Sequence, residues 1–205
     1  MKRYDRDYFD RWYRDPRHRV SSAAALARKV RMVVGVAEYL LGRPLRRALD
    51  VGAGEGAWRR ELRALRPRLD YVGVDPSAYA VRRFGAARNI RPGTFATLEQ
   101  AAGPGPFDLV VCCDVLQYVS DAELGAGLAQ LAALLGGVAF LEAYTSDDAV
   151  EGDLHGWHHR TPAAYRAHFR RAGLTACGLH CYAAAPVAAT TAALERAEAG
   201  ARPDG

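Results

Sequence analysis

Asp50-Val51-Gly52-Ala53-Gly54-Glu55-Gly56 closes an apolar, strand-like lead-in and opens a helix-like run. Glycines at such a junction let the backbone turn tightly and let a ligand approach the bare main chain. A second apolar run, Tyr71-Val72-Gly73-Val74, ends in Asp75, about 20 residues on, where a nucleotide-binding βαβ unit carries its ribose-binding acid. Together they point to a cofactor with an adenosine half. The alternative is a tight turn whose glycines serve packing alone.

Charge narrows the cofactor. A dinucleotide fold holds a pyrophosphate at the glycine turn and helix amino terminus. Asp50 would repel it, and no Arg or Lys lies between Asp50 and Trp58 to offset the repulsion. A carboxylate there suits a ligand with a cationic end, such as the sulfonium and ammonium of S-adenosylmethionine. The spacing is also G-x-G-x-G rather than G-x-G-x-x-G.

The 205 residues, half hydrophobic and a quarter charged, fit one globular domain with a small accessory segment. No apolar run reaches the ~18 residues of a membrane span, and the start, Met1-Lys2-Arg3-Tyr4-Asp5, has no signal-peptide apolar region. Cys112, Cys113, Cys177 and Cys181 show no C-x-x-C spacing, which predicts reduced thiols and a cytoplasmic protein. Residues 1 to 47 hold 13 Lys and Arg against 5 Asp and Glu, and the remainder 15 against 18. The basic start is a solvated helical face or a surface for nucleic acid. Tyr4, Tyr8 and Trp12 recur at i, i+4 and i+8, so one helical face carries all three, packed on the domain.

Element order alternates. Ser21 or Ser22 caps a helix to Leu41, ended by Gly42. A strand lies within Pro44 to Val51, and Trp58, Leu62 and Leu65 mark a helix stopped by Pro67. Leu69 to Val74 is a strand, Ser77 caps a helix through Ala86 or Ala87, and Arg91 to Phe95 is a weak third strand. The apolar run Phe107 to Cys113 reads as a central parallel strand buried on both faces. A helix from Asp121 ends near Leu135 with Gly136-Gly137 as its turn, before a fifth strand, Val138 to Tyr144. Thr161-Pro162 opens a helix to Ala172, Leu174 to Tyr182 is a sixth strand with Cys177 and Cys181 on one face, and Thr190 to Ala199 reads as a helix. The predicted fold is α/β: a doubly wound, mostly parallel Rossmann-like sheet of six or seven strands. Predicted boundaries are a helical lid at 1–43, the main domain at 44–199 and a disordered tail at 200–205.

On these residues the chain resembles the class I S-adenosylmethionine-dependent methyltransferases, specifically the group of small bacterial ones. Leu49 to Gly56 looks like motif I, Val72-Gly73-Val74-Asp75-Pro76-Ser77 like motif II, Phe107 to Tyr118 like motif IV and its extension, and Leu134 to Phe140 like the loop and strand that follow. The resemblance implies that Gly52 and Gly54 line the methionine moiety, with Asp50 near it, and that Asp75 accepts from the ribose hydroxyls. It places Pro76 and Ser77 beside the adenine, Thr94 where many relatives have an Asp for the adenine amino group, Phe95 against the ring, and Asp114 and Val115 beneath the methionine end. Tyr8, Trp12 and Arg19 lie on the lid, with Arg19 suited to the methionine carboxylate. Gln117 stands where many relatives have His, and the usual last antiparallel strand is short or absent.

The segment Asp147 to Arg160 follows the fifth strand and overhangs the expected site. His155, His158 and His159 are candidate general bases. Trp157 is a candidate pocket wall and Arg160 a candidate partner for an acidic group, with Tyr8, Trp12, Tyr118 and Tyr144 completing the acceptor set. The alternative is a capping loop in which Trp157 packs and Arg160 pairs with an acid. No spacing here is diagnostic of a metal site. The Asn/Asp-Pro-Pro-aromatic motif of amino methylation is absent, and Cys112 and Cys113 read as core rather than as a cytosine-C5 nucleophile. The leading expectation is methyl transfer from S-adenosylmethionine to a small-molecule acceptor. Alternatives are RNA or protein methylation through the basic amino terminus, a non-catalytic cofactor-binding subunit, and, disfavoured by Asp50, a nicotinamide reductase.

Overall fold

The computed structural model describes residues 4–15, 22–149 and 154–197. After a short helix, α1 (Arg6–Phe9), and a π-helical turn (Asp10–Arg14), α2 (Ala23–Leu41) begins where the Ser22 side chain accepts from Ala25 N and ends at left-handed Gly42. β1 (Arg47–Val51), α3 (Ala57–Leu65), β2 (Asp70–Asp75), α4 (Ala78–Arg88), β3 (Ile90–Pro92), α5 (Leu98–Ala102), β4 (Phe107–Cys113), α6 (Asp121–Leu134) and β5 (Leu135–Glu142) alternate along the chain. α7 (Pro162–Arg171), β6 (Thr175–Gly178), β7 (Cys181–Ala183) and α8 (Ala185–Ala188) follow. The seven strands lie in the order β3-β2-β1-β4-β5-β7-β6, with β7 antiparallel to both its neighbours and β1 to β5 parallel.

Side chains alternate across the sheet and feed two cores. Leu49, Val74, Val110 and Leu141 face α5, α6 and α7, while Ala48, Leu109, Val111 and Phe140 face α2 and α3. Val30, Val33, Val34 and Ala37, spaced for one helical face, are buried in the second core, so α2 packs as a layer on the sheet. No described helix is long and apolar enough to cross a membrane.

Several elements differ from the sequence reading. The third strand stops at Pro92, and Phe95 lies in a one-turn helix, Phe95–Thr97, closed by a Thr94–Thr97 capping box. Gly136 and Gly137 lie inside β5. A Cβ on Gly137 would stand 2.1 Å from Asp108 O, so these glycines admit β4 to close contact instead of making a turn. The run Leu174 to Tyr182 is a hairpin, because Gly178, Leu179 and His180 all take positive φ and reverse the chain. Its return, β7, is the short last antiparallel strand. Cys177 and Cys181 therefore sit on different strands, though both join the α2-side core. Of the helix expected over 190–199, the described residues hold only a one-turn helix, Ala193–Glu195, and the Thr190 and Thr191 hydroxyls donate to Val187 O at the end of α8. The predicted tail lies outside the described residues.

Candidate active site

The carboxyl ends of β1, β2 and β4 enclose a cavity, where open α/β sheets place their ligands. Gly52 and Gly54 take φ of 74° and 52°, conformations that cost any residue with a Cβ. A Cβ on Gly52 would lie 2.3 Å from Val115 Cγ2, so the bare backbone lets the two loops meet at the cavity wall.

Asp75 ties the two nucleotide-type loops together. Its Oδ2 accepts from Gly54 N at 2.7 Å and its Oδ1 from Ser77 N at 2.8 Å. Burial raises its pKa against the pull of those two backbone bonds. Each carboxylate oxygen keeps a further lone pair, which is what a diol requires. Asp50 lies lower, 2% exposed, and accepts from Tyr71 OH at 2.6 Å. Burial raises its pKa to about 7, the Tyr71 hydroxyl opposing and the Asp75 charge adding to the shift.

Of the predicted residues, Tyr8, Gly52, Gly54, Asp75, Pro76, Thr94, Phe95, Asp114, Val115 and Tyr118 line the cavity. Asp114 holds φ of 60°, and its Oδ1 accepts from the Gln117 side chain, whose own Oε1 is buried without a partner. Gly127 lets α6 close on Phe95, since a Cβ there would stand 2.1 Å from the ring.

Other predicted residues fall elsewhere. Asp50 lies beneath the cavity rather than on it. Ser77 is buried as the cap of α4, and its Oγ donates to Tyr4 O at 2.5 Å, anchoring the amino-terminal segment. Trp12 lies off the cavity beside Arg11, because the π-turn breaks the i, i+4 spacing. Phe9 takes the covering place, 3% exposed and against Gly54. Arg19 lies outside the described residues.

The loop before α7 corrects the acceptor-side expectation. Arg160 spends its donors on Asp121 Oδ1 (2.6 Å), Leu116 O (3.1 Å) and Val119 O (2.6 Å), clamping the turn after β4 from within. His155, His158 and His159 are exposed and do not line the cavity. Trp157 packs against the His159 ring at 4.6 Å in a tilted arrangement, also off the cavity, as in the capping-loop alternative.

Sequence reasoning missed Phe9 and Cys113 as cavity residues. It also missed a cluster beside Cys113, where the Lys29 Nζ lies 2.8 and 2.5 Å from the Glu142 oxygens and the Cys113 thiol donates to the same carboxylate. Tyr144 lies next to this cluster, its pKa raised by burial and by Asp114 and Glu142. Burial and Glu142 push the Cys113 thiol well up, so it stays protonated. Cys112 is fully buried core.

A family model described as a methyltransferase domain matches residues 4–177. The chain belongs to the methyltransferase-domain family. The methyltransferase-family chain is 34% identical over 113 residues to an uncharacterised protein of Synechococcus, a match covering 51% of this chain and 26% of that protein. It thus spans about a quarter of that curated relative. DesVI of Streptomyces venezuelae shares the fold at 18% identity and a TM-score of 0.60, covering 78% of this chain and 91% of its own. The magnesium protoporphyrin IX methyltransferase ChlM of Synechocystis PCC 6803, solved with bound SAH, aligns at 19% identity and a TM-score of 0.57, covering 83% and 86%. The seven-stranded sheet of this methyltransferase-family chain is the fold of both.

Proposed function

We propose that this chain transfers the methyl group of S-adenosylmethionine to the O, N or S nucleophile of a small-molecule acceptor by in-line displacement. The observation that carries the reading is the Asp75 carboxylate on the cavity wall, fixed by Gly54 N and Ser77 N with lone pairs left for a ribose diol. Gly52 and Gly54 line the same cavity at positive φ, and side chains there would run into Val115 and Phe9. When bound, the sulfonium supplies an already activated methyl group. The protein's own work is then to hold and orient the reactants and to exclude water. Asp114 and Val115 line the cavity wall, and Tyr4, Tyr8 and Phe9 of the amino-terminal segment line it as well. That aromatic lining favours a small acceptor over a polymer.

Calorimetric titration with S-adenosylhomocysteine and with NADH tests the donor assignment. Saturable heat with the first and none with the second is expected. Tight NADH binding would sink the reading.

A further inference from the structure

The cavity ends at β4, where its wall is Cys113, Asp114 and Val115. The next strand outward is β5, whose carboxyl end carries Glu142, followed by Tyr144. Glu142 is in register with Cys113, and its carbonyl accepts from Asp114 N at 3.0 Å. Lys29 reaches in from α2 and contacts both Glu142 oxygens. The Lys29 and Glu142 side chains remain 29% and 18% exposed, so the pair meets solvent; neither lines the cavity, which the pair adjoins only through Cys113. A half-buried ion pair gains little, because desolvation offsets its attraction. The neighbouring inner positions of α2 are the apolar Val30, Val33 and Val34, which already hold the helix to the sheet.

We propose that Lys29 and Glu142 form the acceptor end of the site and that the acceptor is a phenolic or enolic hydroxyl, its oxygen held between the Lys29 ammonium and Glu142 Oε1. This rests on the donor-site reading above. Glu142 Oε2 accepts from both Lys29 and Cys113, whereas Oε1 accepts from Lys29 alone and has a lone pair for a hydroxyl proton. One Lys29 donor is spent on the Cys113 sulfur at 3.9 Å, a weak contact that an oxygen displaces. The acceptor O–H bond breaks, and its proton passes to Glu142 Oε1. An oxygen electron pair forms the new bond to methyl, and the electrons of the broken methyl–sulfur bond stay on sulfur.

Charge selects this acceptor class. The Lys29 ammonium offsets an oxyanion, but it would repel an amine, which becomes cationic on methylation. An aliphatic alcohol is too weak an acid to yield its proton to a carboxylate. The protonated Cys113 thiol does not compete for the methyl group.

The probe is 4-nitrophenol, whose anion alone absorbs visible light. Protein saturated with S-adenosylhomocysteine is titrated into it at a pH where the free probe is mostly neutral. Wild type should raise the anion absorbance saturably. Lys29→Met should weaken that binding about tenfold or more, as for a lost charged hydrogen bond. Lys29→Arg should retain it, and Glu142→Gln should retain or strengthen it by freeing the ammonium. No anion signal with wild type, or unchanged affinity in Lys29→Met, overturns the proposal. Should Lys29→Met fail to fold, Lys29→Gln takes its place, and unchanged affinity there overturns the proposal. Calorimetry with S-adenosylhomocysteine on the same samples separates the two readings. No heat in wild type removes the donor site, whereas normal heat without a probe signal removes only the acceptor inference.

Discussion

Asp50 is a carboxylate set inside the sheet, and burial raises its pKa to about 7. The unfolded chain releases that proton near pH ~4, so the folded state binds more protons between these values. The contribution of Asp50 to stability is therefore full below about pH 4 and is lost as pH rises toward 7. Asp50→Asn keeps an acceptor for the Tyr71 hydroxyl without the buried charge. It should be more stable than wild type at pH 8, by about 1–4 kcal/mol, and less dependent on pH in thermal melts. Equal pH dependence in both proteins would contradict the buried-charge account. A cationic ligand above Asp50 favours its ionised form, so wild-type cofactor affinity should rise as pH passes 7, and Asp50→Asn should flatten that rise.

At this scale Asp75 was legible because a local pattern, an apolar run ending in an acid, carries it. The Lys29–Glu142 pair was not, because its members stand 113 residues apart and only the sheet brings them together. Arg160 was misread for a related reason. Its partners, Leu116 O and Val119 O, are carbonyls that no side-chain pattern announces.

At the scale of elements, β4 was read with its observed ends because a strand buried on both faces is apolar throughout. β5 was begun too late, since Gly136-Gly137 looks like a turn until the strand beside it is known. Gly137→Ala should therefore destabilise the fold by about 3 kcal/mol or more, because the new Cβ meets Asp108 backbone that has no rotamer to escape. Gly35→Ala in α2 meets nothing within 4 Å and should be stabilising by about 0.5–1 kcal/mol in denaturant melts. A reversed order would undo this account of the two glycines. The β6–β7 hairpin was hidden by its alternating apolar residues, which suit one long strand as well as two short ones. Arg160→Ala frees the turn after β4 and should cost about 2–4 kcal/mol of stability. Intact stability with a selective loss of acceptor binding would return Arg160 to the acceptor side.

Across the whole molecule, α2 and α3 cover one face of the sheet, and α5, α6 and α7 cover the other. The strand ends are left as the open edge, and the amino-terminal aromatic segment closes over it through Phe9 against Gly54 and the Tyr4 carbonyl on Ser77. That order was readable from alternating strands and helices. The identity of the covering ring was not, because a π-turn displaces Trp12 from the face that regular helical spacing assigns it. The central claim is that this edge holds an adenosine-bearing methyl donor through Asp75. Calorimetric titration of wild type and Asp75→Ala with S-adenosylhomocysteine tests it most directly. The variant should bind about 1.5–3 kcal/mol more weakly, the cost of a lost charged hydrogen bond, and unchanged affinity would contradict the account.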